Sequence, residues 1–409
     1  MTAPTVSIVV VSRHRATLLK RCLTALSQLI YPAYEVVVVA DPGGLSAIAP
    51  FSDRVKTVSF DVPNISAARN VGIAHAAGEI VAFIDDDSVP EPTWLTELVK
   101  GFAIDHVAAV GGFVRGRNGI SFQWKAGAVD NTGTRTEIPF SKQPFVPRLP
   151  AGQIAKLEGT NMAIRRDVLL DLGGFDHAFH YYLDETDLCL RLASAGHAIA
   201  FAPNAEVHHG FAENVTRSAD RAPKSLFQLG ASKVVFLRKH ANSAEIESVL
   251  DQFRSAQRTR LLRYLMFGMI EPRDVARLLN TLEDGFTDGH KRPIEPLVIG
   301  AQKHDFRLFQ GIDRAQSVSL KGRVWQRARL RRQAYALLGE GKIVTVFLLG
   351  PSFRRHHVRF EMPGIWVQSG GLWGRSDRAE SLKIMRGFSQ RVLAEIRRCS
   401  RQRALSDAN

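Results

Sequence analysis

Cysteine is scarce in this sequence. Cys22, Cys189 and Cys399 lie far apart and form no CxxC pair, which speaks for reduced thiols and against a zinc site or a disulfide scaffold. Long apolar runs are also missing. None approaches the roughly 18 residues that a membrane-spanning helix requires. Met1-Thr2-Ala3-Pro4 leads directly into an apolar segment with no basic stretch before it. No signal peptide is therefore expected, and the cytoplasm is the expected compartment. No Ser/His/Asp or Cys/His set stands out as a nucleophilic centre. RNP-like and zinc-finger signatures are lacking as well, so only the pI of 10.0 is left to argue for nucleic-acid binding.

What is present is ample apolar material: 45% of the 409 residues are hydrophobic, enough for a sizeable core in two or three domains. The charge is unevenly placed. Residues 1–210 hold 18 Lys+Arg against 21 Asp+Glu, whereas residues 211–409 hold 36 against 19. A mildly acidic first half and a strongly basic second half predict two units with different partners. The expected division is a first unit at 1–214 and a basic, mainly helical region with some strand at 215–409.

The first half alternates strand and helix patterns. Residues 5–11, 34–40, 55–60 and 107–113 read as buried strands. Residues 13–28 carry apolar side chains at helical spacing, Ser66 reads as the N-cap of a helix reaching residue 76, and Pro92 opens another at 93–102. Asp41-Pro42-Gly43-Gly44 reads as a turn. This alternation predicts right-handed βαβ units and a mainly parallel α/β sheet flanked by helices.

One stretch organises the rest. Residues 80–84 (IVAFI) are a short apolar run that ends in Asp85-Asp86-Asp87. Ligands bind at the carboxyl ends of strands in open α/β sheets. Three adjacent carboxylates there repel one another unless a positive group sits among them. Hard oxygen ligands in that number suit Mg²⁺ or Mn²⁺, with a diphosphate completing the shell; a solvated acidic turn is the alternative. Arg69, near a helix start, suits an anionic ligand or a structural ion pair with Asp85 or Asp41. Asp184 and Glu185 begin a segment in which Asp187, Leu188, Arg191 and Leu192 recur at helical spacing. The helix dipole favours carboxylates at that position in any case. His208 and His209 stand in tandem after an expected strand at 197–201.

These segments, with residues 6–15, 35–41 and 64–74, resemble a family-2 glycosyltransferase over roughly residues 4–210. The family has the GT-A fold, a Rossmann-like α/β domain that binds a nucleotide sugar. Ser12-Arg13-His14-Arg15 departs from the family's usual first segment, and the acidic pair after the second strand is reduced to Asp41. The resemblance implies that Ser12, Arg13, Asp41 and Arg69 contact the nucleotide and that Asp85 or Asp86 holds the ribose. Asp87, with Asp85, would bind the Mn²⁺ or Mg²⁺ that bridges the diphosphate. His208 or His209 stands where a histidine completes the metal shell. Asp184-Glu185 resembles the family's Glu-Asp motif with the order inverted. Glu185 matches the catalytic base by position, and Asp184 stays open as the alternative. The implied reaction is inverting transfer from a nucleoside-diphosphate sugar to a hydroxyl acceptor, a surface polysaccharide or lipid-linked glycan. Residues 115–157 then read as acceptor-side loops.

Two rivals stand beside this reading. A nucleotidyltransferase also uses acidic metal sites, but it normally has a glycine-rich phosphate loop after the first strand, where this chain has Ser12-Arg13-His14-Arg15. A nucleic-acid-binding protein would explain the basic half, although the acidic half would repel phosphates. In that basic half, residues 225–240 and 251–270 read as amphipathic helices, and 285–296 as a polar linker. Residues 320–338 hold six Lys/Arg around Trp325, Leu330, Tyr335 and Leu338. This suits a helix lying on an anionic membrane surface, peripheral at its inner face, or an ordinary solvated face. Residues 342–349 and 360–367 read as strands, and 386–403 as a last basic helix that frays.

Overall fold

A computed structural model of the protein describes residues 3–210, 213, 218, 221–300, 304–311, 316–377 and 386–406. The elements in chain order up to residue 209 are β1 (Val6–Ser12), α1 (Ala16–Leu26), β2 (Tyr34–Ala40), α2 (Pro42–Ala47), β3 (Lys56–Ser59), α3 (Ile65–His75), β4 (Ile80–Asp85), β5 (Ser88–Pro90), α4 (Trp94–Val99), β6 (Val107–Arg115), β7 (Phe122–Trp124), β8 (Gly127–Asp130), β9 (Arg135–Glu137), β10 (Gln153–Lys156), β11 (Met162–Arg165), α5 (Arg166–Asp171), α6 (Asp184–Ser194) and β12 (Ala198–His209).

One sheet runs β3-β2-β1-β4-β11-β6-β12-β5, with β7 added on β6. The pairs β1–β2, β1–β4, β2–β3 and β6–β12 are parallel. β11 lies antiparallel between β4 and β6, and β5 antiparallel on β12. The mainly parallel α/β sheet is therefore present. Alternate residues of its strands feed two cores. Val10, Val38 and Ile84 pack with Leu23 and Trp94 on one face, and Val9, Val37 and Phe83 with Ile73 and Leu192 on the other. Burial on both faces is why the strands read as unbroken valine and isoleucine runs.

Three local readings need correction. Asp41-Pro42-Gly43-Gly44 is not a free turn but the start of α2, whose N-cap Asp41 accepts from Gly44 N at 3.1 Å. The cap of α3 is Asn64, which accepts from Ala67 N at 3.0 Å, while Ser66 Oγ donates to Phe179 O at 2.6 Å. The strand expected to stop at 201 continues to His209 through an irregularity between Ala202 and Glu206. The two histidines therefore sit on a strand rather than beyond one.

The later elements are α7 (Phe227–His240), α8 (Ile246–Met266), α9 (Pro272–Lys291), β13 (Ser317–Arg323), α10 (Arg327–Gly339), β14 (Ile343–Gly350), β15 (His357–Glu361), β16 (Ile365–Gly371) and α11 (Phe388–Arg403). The expected boundary at 214/215 falls outside the described residues. The expected linker at 285–296 is wrong over its first part, because α9 runs to Lys291. Gly285 and Gly289 lie in that expected linker, yet a Cβ on either would come within 2.5 Å of backbone oxygens of α7. These glycines let two helices touch. The helix expected at 320–338 is a strand to Arg323 before α10 begins. The strand expected at 360–367 is the hairpin β15–β16. The second half therefore holds a four-stranded sheet, β13-β14-β16-β15, and is less helical than expected. α10 covers one face of this sheet through Leu330 and Ala334, and α11 the other through Val392 and Ile396. No helix among the described residues is long and apolar enough to cross a membrane.

Candidate active site

The acid-tipped strand separates its three carboxylates by direction. Asp85 and Asp87 point to one side, where they meet His209. One ligand atom from each of the three lies within 4.8 Å of the others. His209 Nε2 stands 3.3 Å from Asp87 Oδ1 and 3.9 Å from Asp85 Oδ2. Gln123 Oε1 lies 3.1 Å from His209 Nδ1. If it accepts from Nδ1, the Nε2 lone pair is left facing the two acids, as in metal-ligating histidines whose other ring nitrogen donates to an oxygen. Two carboxylates and one imidazole make a donor set that fits Mn²⁺ or Mg²⁺.

Asp86, in the turn between β4 and β5, faces the other way. It accepts from Ser12 Oγ at 2.7 Å and pairs with Arg15. Burial pushes its carboxyl up to about 7, against the opposing charge of Arg15. Arg15 also lies 3.4 Å from Asp87. His208 does not join the metal-type cluster. Adjacent strand positions face opposite ways, and its Nε2 stands 2.7 Å from the buried Glu91.

At the ends of β1, β2 and β3 a second polar group assembles. Asp41 accepts from His14 N at 2.6 Å, and His14 has φ 56°. Arg13 Nε lies 2.8 Å from Asp61, which also faces His14 at 3.1 Å. Burial raises the Asp41 carboxyl, but the backbone N–H groups of His14 and Gly44 outweigh it and leave the group lowered.

Arg69 joins the acid strand to α6. It pairs with Asp184 and lies 3.4 Å from both Asp85 and Gly159 O. A Cβ at Gly159 would come within 2.7 Å of the guanidinium, so only glycine admits that approach. Immediately before α6, Tyr182 and Leu183 both have positive φ, 75° and 67°. Such conformations cost about 1–3 kcal/mol each and gather at functional sites. They turn the chain so that Asp184 and Glu185 enter side by side but meet different cations. Glu185 faces Lys156 at 3.1 Å, and Lys156 also holds Glu158 at 2.9 Å. Burial raises Asp184, with Arg69 opposing and the Glu185 carboxylate adding to the rise. Burial raises Glu185 too, but Lys156, a hydrogen bond with Asp184 and a backbone N–H together outweigh it and hold the group down to about 2.

Residues 3–224 match the family described as "Glycosyltransferase like family 2". The chain belongs to that family. Among relatives, the chain is 30% identical over 249 residues to the O-antigen biosynthesis protein RfbC of Myxococcus xanthus, covering 55% of this chain and 19% of that protein. It is 26% identical over 301 residues to the pre-mycofactocin glycosyltransferase of Mycobacterium tuberculosis, covering 69% and 60%. It thus spans less than two thirds of the length of these relatives. Among solved structures it is similar to the mannosyltransferase PcManGT of Pyrobaculum calidifontis in complex with GDP-Man and Mn²⁺, at 17% identity and a TM-score of 0.44 over 71% of this chain and 88% of that one.

The structure brings Asp85, Asp87 and His209 together, Asp86 with Ser12, Asp41 with Arg13's neighbour His14, and Asp184 with Arg69. Arg15, Gln123 and Lys156 join the site without a signal of their own in the sequence. Arg15 lies in the segment Ser12-Arg13-His14-Arg15. Gln123 and Lys156 lie in the segment read only as loops, and nothing in their own neighbourhood marks them.

Proposed function

We propose that the protein is an inverting glycosyltransferase that moves a sugar from a nucleoside-diphosphate sugar to a hydroxyl of a surface polysaccharide or lipid-linked glycan. The observation that carries this is the Asp85–Asp87–His209 cluster at the sheet rim, linked through Arg69 to the Asp184-Glu185 corner. Residues 1–214 would be the catalytic unit, and 215–409 the part that meets the acceptor or the membrane face. The name of the O-antigen relative favours a polysaccharide acceptor.

Asp85, Asp87 and His209 would hold the divalent cation. Bound there, it would supply Lewis-acid and electrostatic stabilisation of the leaving diphosphate. Ser12, Arg13, Asp41 and Asp86 line the nucleotide side, and Arg69 keeps the rim acids and α6 in register. Glu185 takes the proton from the acceptor hydroxyl as that oxygen attacks the anomeric carbon from the face opposite the leaving group. One displacement inverts the configuration. Lys156 keeps Glu185 ionised and aimed.

Incubation with a panel of UDP- and GDP-sugars and Mn²⁺ should release nucleoside diphosphate. NMR of the product should show the anomeric centre inverted. Asp87→Ala should abolish metal-dependent turnover. Release of pyrophosphate instead would move the reading to nucleotidyl transfer, and a fully active Asp87→Ala variant would remove it.

A further inference from the structure

The α8–α9 hairpin ends in a tip that the rest of the molecule leaves bare. Met266 is 83% exposed and Phe267 79% exposed, with Leu262 beside them. The chain turns at Gly268, φ 67°, and enters α9 at Pro272. Residues 255–270 contain Arg258, Arg260 and Arg263 and no acid. None of the three arginines makes an ion pair with a described residue, and Arg258 and Arg263 are exposed. The acids just beyond are already matched: Glu271 faces Arg273 at 2.9 Å and Asp274 faces Arg277 at 3.0 Å.

Helix geometry sorts these side chains by height. Arg258, Leu262 and Met266 follow one another at i, i+4 spacing, as do Arg263 and Phe267. At 1.5 Å per residue, Phe267 stands about 6 Å beyond Arg263 along the axis. An apolar end with cations about one turn behind it matches the 5–10 Å over which interfacial helices enter the headgroup–acyl boundary. α10 buries Leu330 and Ala334 against its own sheet. The aromatics left exposed just before it and on it, among its basic residues, are Trp325 and Tyr335, which makes Trp325 the control for the tip.

We propose that the α8–α9 tip is a wedge that seats the protein on an anionic lipid bilayer, with Met266 and Phe267 in the acyl boundary and Arg258 and Arg263 at the phosphates. This rests on the membrane part of the reading above and names the surface that performs it. A protein partner of the same charge, or a second copy of this chain, is a competing occupant.

The test uses the full chain and needs no turnover. Co-sedimentation with vesicles of phosphatidylcholine plus phosphatidylglycerol should be strong, should weaken with added salt, and should be slight with phosphatidylcholine alone. Met266→Ser/Phe267→Ser should reduce partitioning at least about tenfold, as expected for two large side chains withdrawn from the boundary. Both residues are exposed, so the melting temperature should not move. Arg258→Gln/Arg263→Gln should remove the preference for anionic lipid, and Trp325→Ser on the α10 side should change nothing. Three outcomes overturn the proposal. If the wild-type chain binds neither vesicle, the peripheral reading falls with it. If the tip variant binds as the wild type does, or Trp325→Ser abolishes binding, the wedge falls while peripheral association stands. If the wild type is a dimer that the tip variant makes monomeric, the surface is a self-association face.

Discussion

Glu185 and Asp184 are adjacent carboxylates with different partners, and the difference predicts different losses. Glu185→Gln keeps shape and removes the proton acceptor. It should lower kcat by roughly 10²–10⁴ while leaving donor KM and melting temperature near wild type. Asp184→Asn leaves Arg69 buried without its nearest carboxylate, and its cost should appear as stability, about 3–5 kcal/mol by thermal or denaturant melting. Lys156 supplies a further test. With Lys156 in place, Glu185 sits at about 2, so it is ionised throughout the neutral range. In Lys156→Met the opposing charge is gone and the carboxyl rises. The acid limb of kcat/KM should move to higher pH, and an unmoved limb would take Glu185 out of the base role. At this scale the sequence was partly legible. Asp85, Asp87 and Asp184-Glu185 each stand in a local pattern that carries its own meaning. Between the two histidines the sequence could not choose, because only pairing with β5 decides that His209 faces the acids and His208 faces Glu91.

Among the elements, α11 differs most from its reading as a fraying tail. Its last residue, Arg403, is buried and donates twice to Glu91, both at 2.9 Å, while Gln402 Nε2 donates to Glu206 at 3.1 Å. Glu91 in turn holds His208, and β5 just before it pairs with the strand that ends in His209. The helix therefore braces the two strands that present Asp87 and His209. Arg403→Met should cost about 3–5 kcal/mol, since it strands a buried carboxylate. Through β5 it should also weaken Mn²⁺ binding, measured by calorimetry, more than metal-free nucleotide binding. The basic composition of residues 386–403 reads as solvated, and nothing nearby in sequence announces Glu91 or Glu97 as its partners. β1, α1, β2, β3, α3, β4 and α4 were legible because each has its own period and stop signal, whereas α2 read as a turn and β5 went unread. The linker expected from residue 285 failed for the opposite reason, since Gly285 and Gly289 are placed by Phe227 and Ala231 of α7, far away in sequence.

Across the whole molecule, the uneven charge is reconciled by buried ion pairs that tie later segments to the first sheet and to each other. Asp187 of α6 faces Lys239 at 2.6 Å and His240 at 2.8 Å on α7. Glu91 is held by α11; within α11 Glu395 is held by Arg391 and Arg398, both at 2.8 Å, and it reaches β16 by accepting from Gln368 Nε2 at 2.7 Å. Burial alone would raise all three carboxyls. Their partners outweigh it, so each sits below the ordinary carboxylate range, Glu395 at about 2. A carboxyl lowered on folding stabilises the fold fully above its unfolded value, about 4, and that contribution is lost as pH falls through the folded value. For Glu395 the window runs from about 4 down to about 2. The contribution of these three carboxyls to the melting temperature should therefore stay level from pH 8 to about 5 and fall steeply below about 4 as the pairs protonate. Glu395→Gln should melt lower at neutral pH and fall less steeply in acid, because one of the titrating groups has been removed. Circular-dichroism melts across that range check both, and an acid slope unchanged by the substitution would mean that Glu395 contributes no pH-dependent stability.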